Sequence, residues 1–212
     1  MLMAYSQNPL TGQMSGSMGN FVTTRLGNQN IIRSKAFKPR DANTEPQQKQ
    51  RYGFKMLGEL YPLFGGIPEE GFAQRSKSTT SYIAFMSANM PGALDKSGDM
   101  TVIDFSKLTV ASGTLPKLIV SEARLDASGI KLTYLPMLRN QANKSTDVLV
   151  AMVLLNTGEL WIERQLRGSE ESDLMLLPVT NVSVADIQGI YLFVKNTEGS
   201  KTSNSVYITL NP

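Results

Sequence analysis

DVLVAMVLL, residues 147–155, places eight apolar side chains in a row after one acid, and Asn156-Thr157-Gly158 follows at once. The run is too short to cross a bilayer, which takes about 20 helical residues, and it is bounded by a turn signal. It reads as a central β-strand. The Asn-Thr-Gly connection suits a tight hairpin to 159–166, where Leu160 and Ile162 alternate with Glu159, Trp161 and Glu163.

Working outward, the same short extended pattern recurs at 101–105, 108–111, 117–121, 130–134, 174–178, 189–195 and 203–210. Turn composition separates the runs at 126–129, 140–145, 168–173 and 196–200, a spacing that favours antiparallel strands over βαβ units because crossover helices are missing. The closing strands alternate too, with Ile190, Leu192 and Val194 opposite Tyr191 and Phe193. One face closes the core; the aromatic face is either a binding surface or lies under a loop or the N-terminal helices.

The first half carries a different period. Residues 21–26 and 30–35 are two short strands around Gly27-Asn28-Gln29, a hairpin turn. Thr44 with Gln47 is a capping pattern for a helix whose stripe is Phe54, Leu57 and Tyr61 and which Pro62 ends. A second helix is expected from Glu69 or Glu70 to Met90, stopped by Pro91-Gly92. The fold class is therefore α+β and predominantly β: an N-terminal hairpin and two helices, residues 1–94, followed by an antiparallel immunoglobulin-like β-sandwich, residues 95–212.

Composition narrows the chemistry. The 212 residues contain neither cysteine nor histidine, which excludes disulfides, thiol and imidazole catalysis and the common structural zinc sites. The net charge is +3, unevenly placed: residues 1–94 hold ten Lys/Arg against five Asp/Glu, and residues 95–212 hold eleven against thirteen. Arg25, Arg33, Lys35, Lys38 and Arg40 meet no acid within the first forty residues. Gly12, Gly16 and Gly19 lack the spacing and strand-turn-helix context of a phosphate loop. Asp99 with Asp104 and Glu159 with Glu163 flank strands without forming a recognisable acid–base pair, and Glu170, Glu171 and Asp173 lack calcium-loop spacing. The N-terminus MLMAYSQNPLTG has no signal-peptide pattern. A soluble chain without a membrane span is expected, cytoplasmic, or associated with a virion or other assembly after cytoplasmic synthesis.

Several segments carry a resemblance in ordered succession: Asn20 and Val22, IIRSK at 31–35, NTEPQQKQR at 43–51, TTSYIAFMSANMPGA at 79–93, IDFSKL at 103–108, SGTL at 112–115, YLFV at 191–194 and SNSVY at 203–207. Together they resemble a family of proteins of unknown function found mainly in Bacteroidota. Asn43, Thr44, Gln47, Gln50 and Arg51 match its N-P-x-T-x-x-Q-x-x-Q-R pattern, while Ala42 stands where proline is usual and Tyr134 where tryptophan is. The resemblance covers nearly the whole chain. It implies architecture and a bacterial or phage-associated origin, with no catalytic residue to carry over.

These readings point to a non-enzymatic structural or adaptor protein that self-assembles or binds a protein partner, without a cofactor, in a phage or mobile-element assembly. The candidate contact residues are Arg25, Arg33, Lys35, Lys38, Arg40, Gln47, Gln50 and Arg51. Two alternatives remain at this stage: nucleic-acid binding through the basic N-terminal region, and glycan or surface binding through Trp161 and the tyrosines.

Overall fold

The computed structural model describes residues 4–6, 15–26, 29–35, 41, 43–98, 100–135, 144–167 and 174–210. They belong to two compact units, Met1–Thr44 and Glu45–Pro212. The first is a four-stranded antiparallel sheet of β1 (Ala4–Ser6), β2 (Gly16–Met18), β3 (Phe21–Leu26) and β4 (Gln29–Ser34) in the order β1-β4-β3-β2. The expected hairpin is present, with Phe21 opposite Ser34 and Leu26 opposite Gln29. Its turn residues Gly27 and Asn28 lie outside the described residues.

The second unit begins with α1 (Glu45–Leu60), which continues through Pro62 as a 3-10 turn, Tyr61–Phe64. Proline is tolerated there because a first-turn N–H needs no partner inside the helix. The buried stripe of α1 is Gly53, Leu57 and Leu60. Phe54, expected on that stripe, is 50% exposed and meets Tyr82 edge-on at 6.5 Å. Gly53 faces inward, and its lack of a Cβ, which would stand 2.5 Å from Leu94 Cδ1, lets Leu94 pack against the helix there.

The expected second helix is two. α2 (Ile67–Gly71) and α3 (Ser81–Asn89) are separated by a segment whose hydroxyls bond locally, as in the 2.7 Å contact between Ser76 Oγ and Thr79 Oγ1. Thr80 is extended, at φ −76° and ψ 159°, and its Oγ1 accepts from Ile83 N at 3.3 Å. A run of Ser and Thr competes with helical hydrogen bonding and supplies the cap of the next helix.

β5 (Leu94–Asp95) and β6 (Val102–Ile103) form a small ladder. Asp104 then caps a 3-10 turn, Phe105–Lys107, so the run expected at 101–105 is only two residues of strand. No strand forms at 108–111. There Thr109 N–H donates to Asn89 Oδ1 at 2.7 Å and Val110 N–H to Ser205 Oγ at 3.1 Å, which satisfies the backbone with side chains.

Two antiparallel sheets complete the unit. β7 (Val120–Asp126), β8 (Gly129–Tyr134) and β11 (Leu174–Leu177) are ordered β11-β8-β7. β9 (Val148–Leu155), β10 (Leu160–Leu166), β12 (Ile187–Lys195) and β13 (Val206–Ile208) are ordered β10-β9-β12-β13. The β9–β10 hairpin predicted from Asn-Thr-Gly is confirmed in register, with Leu160 opposite Leu154 and Leu166 opposite Val148. Gly129 opens β8 at φ +127°, where a Cβ would stand 2.1 Å from Leu177 O, so only glycine lets β11 pass that close.

The continuous apolar run of β9 follows from its position between two layers. Val150, Met152 and Leu154, with Tyr191 and Phe193 of β12, pack with Leu57, Phe64, Ile67 and Phe85 of the helical layer. Leu149, Ala151, Val153 and Leu155, with Ile190, Leu192 and Val194, pack with Ile130, Leu132, Met175 and Leu177 of the three-stranded sheet. Each fully buried aliphatic side chain contributes about 2 kcal/mol relative to exposure. Of the two readings of the aromatic face, cover by helices is the one observed.

Candidate interaction surface

The structure distributes the sequence-predicted contact residues over both units. Arg25 and Arg33 are exposed on β3 and β4. Because Arg33 sits opposite Val22 and Arg25 opposite Asn30, the two arginines fall on opposite faces of the N-terminal sheet. Lys35 is exposed just past β4, and its N–H donates to Asn20 O at 2.7 Å. Lys38 and Arg40 lie outside the described residues. Gln47, Gln50 and Arg51 are exposed in the first two turns of α1.

Residues 15–25 and 30–35 of the N-terminal sheet supply little core. Thr23 is buried, Val22, Ile31 and Ile32 are half-buried, and Met18 and Phe21 are 60% and 55% exposed. A small sheet needs an apolar face covered for independent stability.

The start of α1 is braced rather than open. Glu45 pairs with Lys49 at 2.8 Å, and the hydrogen bond from the Lys49 ammonium holds the Glu45 carboxyl below its usual range. Gln50 Oε1 accepts from Lys96 Nζ at 2.7 Å, which ties α1 to the loop after β5. Beside these residues a shallow 270 Å³ groove is lined by Gln48, Tyr52, Met100 and Thr101.

Acidic side chains in the helical layer join elements. Tyr61 Oη and Ser81 Oγ donate to Glu69 Oε1 at 2.9 and 2.8 Å. Partial burial raises the Glu69 pKa, but hydrogen bonds from Ser81 and Tyr61 outweigh it and the carboxyl lies below its ordinary value. A carboxylate so held is a weak base for Ser81. Glu70 binds Arg164 Nη2 at 2.6 Å and Lys195 Nζ at 2.5 Å, clamping α2 to β10 and β12. Burial again opposes ionisation, and the two cations again prevail. Asp104, hydrogen-bonded by Lys107 and Ser106, is lowered to about 2. Among the described residues no group of three or more acids is placed to hold a metal ion. Asp99, Glu170, Glu171 and Asp173 lie outside them.

The aromatic residues are divided. Tyr191 is buried against Tyr207 at 5.6 Å and donates to Phe105 O at 2.8 Å; burial pushes its phenol far above the usual range. Trp161, by contrast, is 40% exposed on β10. Among the described residues, no helix is long and apolar enough to cross a membrane.

The feature that residue types did not announce is an edge. At one side of the stacked sheets β10 and β11 meet, and Gln165 Nε2 donates to Leu174 O at 3.1 Å. At the other side β7 pairs with β8 and β13 pairs with β12, and neither has a second strand neighbour among the described residues. A 310 Å³ groove runs between them, lined by residues 117–123 and 206–209, with Ile119 58% exposed beside it.

Compared with known proteins, residues 13–209 match the profile described as a family of unknown function, DUF6266. No curated protein and no solved structure matches the chain.

Proposed function

The chain belongs to the DUF6266 family of unknown function, and we propose that it is a non-enzymatic structural or adaptor protein that works by contact with further copies of itself or with a protein partner. In this reading the two stacked sheets form an immunoglobulin-like body, and the N-terminal unit is the contact element. The observation that carries it is the N-terminal sheet, in which residues 15–25 and 30–35 include no buried aliphatic or aromatic side chain while Met18 and Phe21 stand more than half exposed. Exposed apolar surface on a sheet with so little core gains stability when another surface covers it.

Light scattering coupled to size exclusion tests this. The full chain runs above monomer mass, or carries a bound partner, and deletion of residues 1–40 lowers that mass or weakens the complex. The core of the second unit runs from Leu57 to Ile208, so the deletion leaves it intact. A full chain that is monomeric, binds no partner and is indifferent to the deletion refutes the reading.

A further inference from the structure

We infer that the face of β10 bearing Glu159, Trp161 and Glu163 receives the basic N-terminal segment, residues 1–40, of a second copy. This rests on the reading above, in which the N-terminal unit is the contact element, and names the surface that it meets. Hairpin register puts the three side chains together. Trp161 stands opposite Val153, Glu163 stands opposite Ala151, and Glu159 O accepts from Leu155 N–H. Alternate residues of an extended chain share a face at a spacing of about 7 Å, so the indole lies with one carboxylate on either side. The strand is the outermost of its sheet. Its neighbours Ala151, Val153 and Leu155 are buried between the sheets, while Trp161 at the margin is 40% exposed. Glu159 is exposed and Glu163 half-buried.

The two carboxylates are charged in a way that other acids of this unit are not. Glu45, Glu70, Asp104, Glu122 and Asp126 each pair with a lysine or arginine of the same unit within 2.8 Å. Among the described residues, no ion pair joins Glu159 or Glu163 to a cation, and Glu163 Oε1 accepts the backbone N–H of Arg164 at 3.2 Å. An indole flanked by two such carboxylates suits a guanidinium, which stacks on the ring and pairs with an acid. The chain carries the complement. Residues 1–40 hold five Lys/Arg and no Asp/Glu. On one face of the N-terminal sheet Arg25 follows Phe21 by four residues, and Met18 stands opposite Phe21. That face offers a cation beside two apolar side chains that are 60% and 55% exposed, to meet an aromatic ring beside two acids. A contact between different surfaces of two copies is heterologous, so it closes a ring or extends a filament.

The test uses the full chain as wild type, Glu159→Lys/Glu163→Lys and Arg25→Glu/Arg33→Glu, the last covering both faces of the N-terminal sheet. Sedimentation is followed up to about 200 μM, which resolves micromolar affinities. Wild type assembles, more weakly as salt is raised. The emission of Trp161, the single tryptophan, shifts with protein concentration as the ring is covered. Each double variant sets like charges against each other and loses roughly 10- to 100-fold in affinity. A 1:1 mixture of the two variants assembles again, because one keeps the wild-type basic segment and the other the wild-type acids. Mixing does not restore a misfolded protein, so the rescue separates a lost contact from lost folding.

A wild type that is monomeric throughout, Trp161 emission that stays constant while the chain assembles, or variants that assemble like wild type overturns the inference. Constant emission in a monomer also covers the case in which the segment meets this face within its own chain. The two proposals fail separately. An assembly that is lost on deletion of residues 1–40 but indifferent to Glu159→Lys/Glu163→Lys removes the β10 face alone, and a chain that stays monomeric and partnerless in every form removes both.

Discussion

Leu149 and Leu154 make the same side chain probe the two faces of β9. Both are 0% exposed, Leu149 toward the three-stranded sheet and Leu154 toward the helices. Truncation to alanine removes buried methyl groups and leaves a cavity, for a cost of about 3 kcal/mol within the usual range of about 2–5. With a urea m-value of about 2 kcal/mol/M, that lowers the unfolding midpoint by about 1.5 M. Leu166 on β10 is 63% exposed, so Leu166→Ala serves as the control and shifts the midpoint by no more than about 0.3 M, the scale of surface substitutions. Trp161, the single tryptophan, sits opposite Val153 in the neighbouring strand and reports unfolding by fluorescence, with circular dichroism as the second probe. Equal, large losses for the two buried leucines are the signature of a strand covered on both sides. If Leu154→Ala behaves like Leu166→Ala while Leu149→Ala is costly, the helices do not cover β9 and the layered core is wrong.

Other expectations follow from single contacts. Glu70→Ala leaves Lys195, whose side chain is 20% exposed, without its carboxylate; it costs about 1–2 kcal/mol in chemical unfolding, and Lys195→Ala added to it costs less than it does alone. Because the folded Glu70 pKa lies below its unfolded value, the clamp stabilises fully above the unfolded value and is lost as pH falls through the folded one; wild type and Glu70→Gln therefore converge in melting temperature as the pH is lowered through the folded value. Asn89 is 0% exposed, donates to Phe85 O and Thr109 O and accepts from Thr109 N–H, so Asn89→Leu costs about 3 kcal/mol by thermal melting through the partners it strands. Gly71→Ala sets a Cβ 2.3 Å from Val110 O and 2.9 Å from Ala111 Cα, both backbone atoms, and lowers stability by about 2–3 kcal/mol.

What was legible in the sequence was what local pattern controls. The eight-residue apolar run, the Asn-Thr-Gly hairpin and the start of α1 all depend on neighbours in the chain. The break between α2 and α3 was readable in principle from Ser76–Ser81, five of whose six residues are Ser or Thr, but the apolar spacing on either side masked it. Residues 108–111 carry strand composition, yet their backbone groups are taken by Asn89 and Ser205, partners 20 and 95 residues away that no periodicity reveals. The same holds for Glu70, whose cations are 94 and 125 positions distant. A lone Asn at the end of the apolar helix SYIAFMSAN was the one available hint of such a link. Charge counting drew the candidate surface to the N-terminal arginines and lysines. The register of β3 and β4 then set Arg25 and Arg33 on opposite faces, which a count cannot show.

The polar side chains with the best geometry in the second unit bear on the functional reading through where their hydrogen bonds go. Glu70 joins α2 to both sheet strands, Asn89 joins α3 to the segment before β7, and Tyr191 joins β12 to the turn at Phe105. Groups engaged in this way are costly to redirect to a substrate, because leaving a buried partner unsatisfied costs about 1–3 kcal/mol. The perturbed carboxyls move the same way: Glu69, Glu70 and Asp104 are all held below their ordinary values, the direction that makes a carboxylate a poorer base. What this unit leaves exposed is of another kind, apolar surface such as Ile119 at the groove between β7 and β13. Exposed apolar side chains recognise other polypeptides by burial and transfer no protons. Among the described residues, the distribution of satisfied and exposed groups therefore supports the proposed contact role, which deletion of residues 1–40 puts to the test.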